Sequence, residues 1–149
     1  TVNDGTGNTS APGNIVVNVT PQNDPATIAG TTAATVTEDG TTVANATLTV
    51  SDPDTGQNSF TSIASTAGTY GNLSLTTAGV WTYTLNNSSA NVQALNAGQT
   101  VQDTFTVSSF DGTSKVLTVN VIGTNDAPTA VADINAAQED SVLIRTGNV

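Results

Sequence analysis

Residues 115–128 read KVLTVNVIGTNDAP, and residues 14–25, NIVVNVTPQNDP, repeat their pattern with Asn23 aligned to Asn125, an offset of 102 residues. Both copies alternate apolar and polar residues, Val17 and Val19 in one and Val119 and Val121 in the other. Such alternation is the mark of a strand with one buried face. Each copy then stops at Asn-Asp and a nearby proline, which leave the extended ladder for a turn or linker. A second echo lies further on, where TVTED at 35–39 is matched by AAQED at 136–140. A strand and its stop recurring at that distance define a repeat about the size of one β-sandwich, roughly 100 residues. On this register residues 1–24 are the tail of a preceding repeat, 25–128 a complete module and 129–149 the start of the next, so the chain reads as an excerpt from a tandem array.

Within the complete module, alternation bounded by turn formers predicts strands over Thr35–Thr37, Val43–Ser51, Ser59–Ser65, Asn72–Thr76, Val80–Leu85, Val101–Ser108 and Val116–Ile122. The expected fold class is all-β: a Greek-key, immunoglobulin-like β-sandwich of about seven strands, with partial modules on each flank. Trp81, Tyr83 and Leu85 share one face of their strand, and Val101, Phe105 and Val107 nearly so on theirs, which supplies the inner faces of two sheets. Between them SSANVQAL at 88–95 suits a helical turn, with a serine to cap it, Val92 and Leu95 on one side and Gly98 to leave it. That turn is expected to cross between the sheets. Asn14–Val19 and Val142–Ile144 should be strands of the flanking modules, disordered here or docked on another copy.

Composition narrows the function. Twelve acidic residues face only Lys115 and Arg145, for a formal net charge of −10 and a pI near 4.1. Nucleic-acid binding needs a basic stripe that displaces counterions, and none exists here. Cysteine and histidine are absent, which removes disulfides, thiolate chemistry, most zinc sites and the usual general base. The chain is therefore not expected to be an enzyme. No apolar run approaches the roughly 18 residues that a spanning helix needs, so membrane insertion is not expected. Threonine makes up about a fifth of the chain, and charged residues only 9%, the composition of a folded, uncharged β surface rather than a disordered acidic tail.

The acids that are present punctuate strand ends: Glu38-Asp39-Gly40, Asp52-Pro53-Asp54, Asp111-Gly112 and Asn125-Asp126. Asp-Gly and Asn-Asp taken singly are ordinary turn formers. Asp52 and Asp54 are different, because residues two apart in an extended chain point the same way and their carboxylates repel unless a cation lies between them. The oxygen donors on offer suit a hard cation of high coordination number, calcium in preference to magnesium.

These motifs resemble a known family. EDGTTVANATLTVSDPDTGQN at 38–58 resembles the early part of a cadherin repeat, and FTVSSFDGTSKVLTVNVIGTNDAP at 105–128 resembles its end. More closely, YGNLSLTTAGVWTYTLNN at 70–87, VQAL at 92–95, GQTVQDTFTVSSFDGT at 98–113 and GTNDAP at 123–128 are similar to the VCBS repeat of large, RTX-type secreted bacterial adhesins. The resemblance implies a cadherin-like sandwich, calcium at module junctions, and a secreted, bacterial cell-surface location. By position it implies that Asp52, Asp54, Asn58 and Asp111 face the preceding linker, where Asn23 and Asp24 complete a metal site. Glu38 should lie at the opposite pole with Asn125 and Asp126. Two places depart from the cadherin pattern: Gly123 stands where the linker has an acid, and Asp103 is only a loose substitute for the glutamate of a missing Asp-Arg-Glu segment. Fewer ligands imply one or two ions per joint.

The expected function is a calcium-stabilised spacer whose partners are the adjacent modules of the same chain. The alternatives are a module that itself binds glycan or a neighbouring cell-surface protein, self-association through the flanking strands, and self-cleavage at Asp24-Pro25 or Asp52-Pro53.

Overall fold

The computed structural model describes residues 5–7 and 13–128. Eight strands form two sheets: β1 Thr27–Gly30, β2 Ala33–Thr37, β3 Val43–Ser51, β4 Ile63–Ala67, β5 Gly71–Leu75, β6 Val80–Leu85, β7 Thr100–Ser108 and β8 Ser114–Ile122, with one helical turn, α1, at Ala90–Gln93. One sheet has the order β1-β3-β6-β5-β4, the other β2-β8-β7. Strands β4, β5 and β6 follow one another by hairpin connections, and β3 lies beside β6, which is the Greek-key arrangement. The fold class is all-β, a Greek-key sandwich, as the alternation predicts.

The first strand is split between the sheets. β1 runs antiparallel to β3, whereas β2 runs parallel to β8, with Ala33 opposite Thr118 and Thr37 opposite Ile122. Gly30 makes the switch at φ 107°, where a Cβ would lie 2.5 Å from the Thr47 carbonyl oxygen. The Trp81 indole N–H donates to the Thr31 carbonyl oxygen at 2.9 Å, so the core residue also fixes the crossover.

The core lies between the two inner faces. Trp81, Tyr83 and Leu85 of β6 meet Phe105 and Val107 of β7 and Leu117, Val119 and Val121 of β8, all buried. Tyr83 and Phe105 pack with tilted rings, centroids 6.0 Å apart. Burying a side chain of this size contributes about 1.5–3 kcal/mol. The crossover from β6 to β7 passes through α1, where Val92 and Leu95 are buried and Gly98 takes φ 76°.

Four details differ from the sequence reading. β1 was not anticipated, because in TIAG only Ile28 is half-buried and the strand exists by pairing with β3. The strand expected at 59–65 starts later: Phe60 sinks into the core and makes a single bridge to Ser109 of the other sheet's margin, and β4 begins at Ile63 with a register shift before Thr66. Ser89 sits at the N-cap of α1 without a side-chain cap bond, its carbonyl oxygen instead accepting from Val92 and Gln93. Asn14–Val19 forms no strand, and its Ile15, Val17 and Val19 are 90%, 76% and 82% exposed. Val142–Ile144 and the echo at 136–140 lie outside the described residues.

Candidate metal centre

At the pole where the chain enters the module, the long connection after β3 and the β7–β8 turn meet the linker. Asp52 is 8% exposed. Its Oδ1 accepts the Asp54 backbone N–H at 2.8 Å, and its own N–H donates to Asn58 Oδ1 at 2.7 Å, so the loop folds around one carboxylate. Asp52 Oδ2 is buried without a hydrogen-bond partner. Asp54 Oδ2 accepts the Asp24 N–H at 2.8 Å, and Asp111 Oδ2 accepts the Ala26 N–H at 2.9 Å. The two carboxylates thus hold the linker by its backbone, while Asn23 and Asp24 remain exposed.

Asp111 is itself braced within its turn. Ser109 Oγ–H and the Thr113 N–H donate to its Oδ1, the latter at 3.1 Å, and Thr113 Oγ1–H donates to its Oδ2 at 2.7 Å. These donors, Ser109 first, then the Ala26 amide and Thr113, hold its carboxyl well below the usual carboxylate range.

At the exit pole Glu38 is fully buried. Its Oε1 accepts Gln93 Nε2–H and its Oε2 the Thr124 N–H, both at 3.0 Å. Glu38 therefore lies beside the outgoing linker, but its oxygens are spent on Gln93 and Thr124, and the exposed Asn125 is tied to the Asp126 carbonyl oxygen instead. Gly123 has a structural reason: a Cβ there would lie 2.6 Å from the Asn96 carbonyl oxygen and 2.6 Å from Leu95 Cβ. An acid at this position would have to displace the turn after α1.

The structure brings Asn23, Asp24, Asp52, Asp54, Asn58 and Asp111 to one pole and Glu38, Asn125 and Asp126 to the other. Among the described residues, however, no three acidic side chains gather closely enough to hold an ion by themselves. Any ion at the entry pole needs amide or backbone carbonyl oxygens beside the carboxylates.

Asp103, the loose substitute for the cadherin glutamate, is 3% exposed and points into the sandwich. Its carboxylate accepts the N–H groups of Thr69, Tyr70 and Gly71 at 2.7, 3.0 and 3.1 Å and the Tyr83 hydroxyl at 2.7 Å. It thereby closes the β4–β5 turn onto β6. Burial, and then the bond to Asp103, pushes the Tyr83 hydroxyl far above its ordinary value of 10.0, so it stays neutral and donates. The signal was in the sequence, since Asp103 lies in phase with Val101, Phe105 and Val107.

The model of the bacterial cadherin-like domain matches residues 23–123. This chain belongs to the bacterial cadherin-like domain family. Comparison with curated proteins finds none that matches. The family match begins at Asn23 and ends at Gly123, and it takes in all the described strands, the entry-pole carboxylates and Glu38.

Proposed function

We propose that this bacterial cadherin-like domain is a structural repeat of a secreted, surface-projected adhesin of the VCBS-bearing, RTX type, and that calcium bound at the entry pole stiffens its joint with the preceding repeat. No catalytic role is proposed. The observation that carries the reading is Asp52: a carboxylate more than nine-tenths buried, with one oxygen lacking any donor, at the pole where Asp54 and Asp111 already grip the linker. A buried anionic oxygen left unpaired is costly, and a bound cation removes that cost. Asp52 and Asp54 are the carboxylates that would hold it, with amide and carbonyl oxygens of Asn23, Asp24 and the loop to complete a hard, oxygen-rich shell.

Melting curves in millimolar calcium and in chelator test this. Calcium at 100 times its dissociation constant stabilises by about 2.7 kcal/mol, and magnesium should do less. Asp52→Asn keeps the Oδ1 acceptor for Asp54 but neutralises the orphan oxygen. It should abolish the calcium response while leaving the chelated protein at least as stable as the parent. Identical curves with calcium and with chelator, or an undiminished response in D52N, would refute the reading.

A further inference from the structure

The two poles hold the linker from opposite ends, and how little chain they leave between them decides how close successive repeats must lie. At the exit, the chain is bound to its own module as far as Thr124, whose N–H donates to Glu38. At the entrance, it is bound to the following module from Asp24 onward, through Asp54 and Asp111. On the repeat register, with Asn23 equivalent to Asn125, Thr124 corresponds to Gln22. Pro21, the counterpart of Gly123, has no N–H to repeat the bond to Gln99 and carries the Cβ that Gly123 lacks, so the close packing of Gly123 does not carry over and the tether we carry over is the one at Gln22. Asn23 alone then separates the last residue held by one repeat from the first held by the next. Two Cα steps of about 3.8 Å span at most roughly 7.6 Å. Anchors that close bring side chains of the two poles within reach of each other.

The apolar feature that waits at this pole is Phe110. It is 66% exposed, whereas Trp81, Tyr83, Phe60 and Phe105 are buried. It stands on a fixed turn: its N–H donates to the Ser59 carbonyl oxygen at 2.8 Å, Gly112 N–H to Ser109 at 3.1 Å, and the adjacent Asp111 holds Ala26 of the linker. An aromatic ring displayed beside the linker on a braced turn has no role in this module's own core. The reading of a folded repeat before this one is supported by Ile15, Val17 and Val19, the counterparts of Leu117, Val119 and Val121, which are fully buried here.

We infer that Phe110 is an inter-repeat contact, buried against the exit pole of the preceding repeat, the end that in this module carries Glu38, α1 and the Gly98 turn. The joint is then a direct protein contact with Asn23 as its one free residue, and it forms without metal. The inference rests on the tandem-repeat part of the proposed function but not on calcium.

Residues 24–125 contain every strand of the described residues and the bonds by which Asp54, Asp111 and Glu38 hold the linkers. Two such repeats joined head to tail, Asn125 to Asp24, recreate the joint and provide an internal control, because only the second repeat's Phe110 faces another repeat. In chelator, F110W placed in the second repeat should be quenched by acrylamide roughly threefold less than F110W in the first, as a side chain at an interface core is shielded like an interior one. Trp81 is fully buried and adds a constant background. F110S in the second repeat should loosen the joint, seen as faster independent tumbling of the two repeats in NMR relaxation, and F110S in the first should not. Equal quenching at both positions overturns the inference. Protection in chelator together with no calcium effect on melting would retain this contact and remove the metal, whereas a calcium effect without protection would do the reverse.

Discussion

Replacing Asp103 by alanine deletes a single carboxylate and leaves four donors without their acceptor. Two of these, the Thr69 and Tyr70 N–H groups, lie on the turn after β4 and can turn to water. The other two cannot, because Gly71 and Tyr83 are buried. Each buried donor left unsatisfied costs about 1–3 kcal/mol, so the expected loss for D103A is about 3–4 kcal/mol, a large part of the roughly 5–15 kcal/mol that holds a domain together. Asp103→Asn preserves shape and, with its oxygen on the Gly71–Tyr83 side, gives up only the Thr69 bond, so about 1–2 kcal/mol should be lost. Tyr83→Phe removes one donor and should cost about 1 kcal/mol. The double variant Y83F/D103A should be less destabilised than the sum of the two single changes, since they remove the same bond. Urea unfolding followed by Trp81, the chain's single tryptophan and fully buried, reports all four. A loss in D103A within about 0.5 kcal/mol of the parent, the range of an ordinary surface change, would refute this account of the interior.

Three further outcomes follow from the same contacts. Tyr83 is held neutral in the folded state, so its contribution is complete below its ordinary value of 10.0 and is lost as pH rises above it, while the unfolded chain ionises; alkaline melts should fall more steeply for the parent than for Y83F, by up to about 1.4 kcal/mol per pH unit. Asp111, held low, contributes stability above its ordinary 3.8 that is lost as pH falls below it; Asp111→Asn should melt lower than the parent at neutral pH, with the gap closing in strong acid. Gly123→Asp, which restores the acid of the cadherin pattern, should destabilise by about 1–3 kcal/mol through overpacking against Leu95 and Asn96, and calorimetry showing an unchanged melting temperature would contradict the close approach.

The strands rich in valine and aromatics were legible because burial imposes a period of two: Trp81, Tyr83 and Leu85 lie on the inner face that the pattern assigns them. What was hidden depends on partners distant in sequence. β1 is a strand because β3 lies beside it, and Phe60 leaves the expected strand because the core has room for its ring. The acids singled out in the sequence sit at strand ends, and strand ends alternate between the two ends of a sandwich. The role of Asp103 was hidden because only the fold brings the three N–H groups of the β4–β5 turn to its carboxylate. The engagement of Glu38 by Gln93 and Thr124 was likewise invisible, because α1 and the outgoing linker meet only in the fold.

The parallel pairing of β2 with β8 has a mechanical meaning. The chain enters at the pole of Asp54 and Asp111 and leaves at the pole of Glu38, so tension on a string of such repeats draws β2 and β8 in opposite directions along their common axis. Five residue pairs, from Ala33 and Thr118 to Thr37 and Ile122, then resist in shear and must yield together rather than unzip one at a time. Forced unfolding is governed by the height of the barrier and not by equilibrium stability. A module that is only moderately stable in a melting experiment can therefore still hold a pulled chain taut, with its resistance set by the short strand that Gly30 and Trp81 direct into the second sheet.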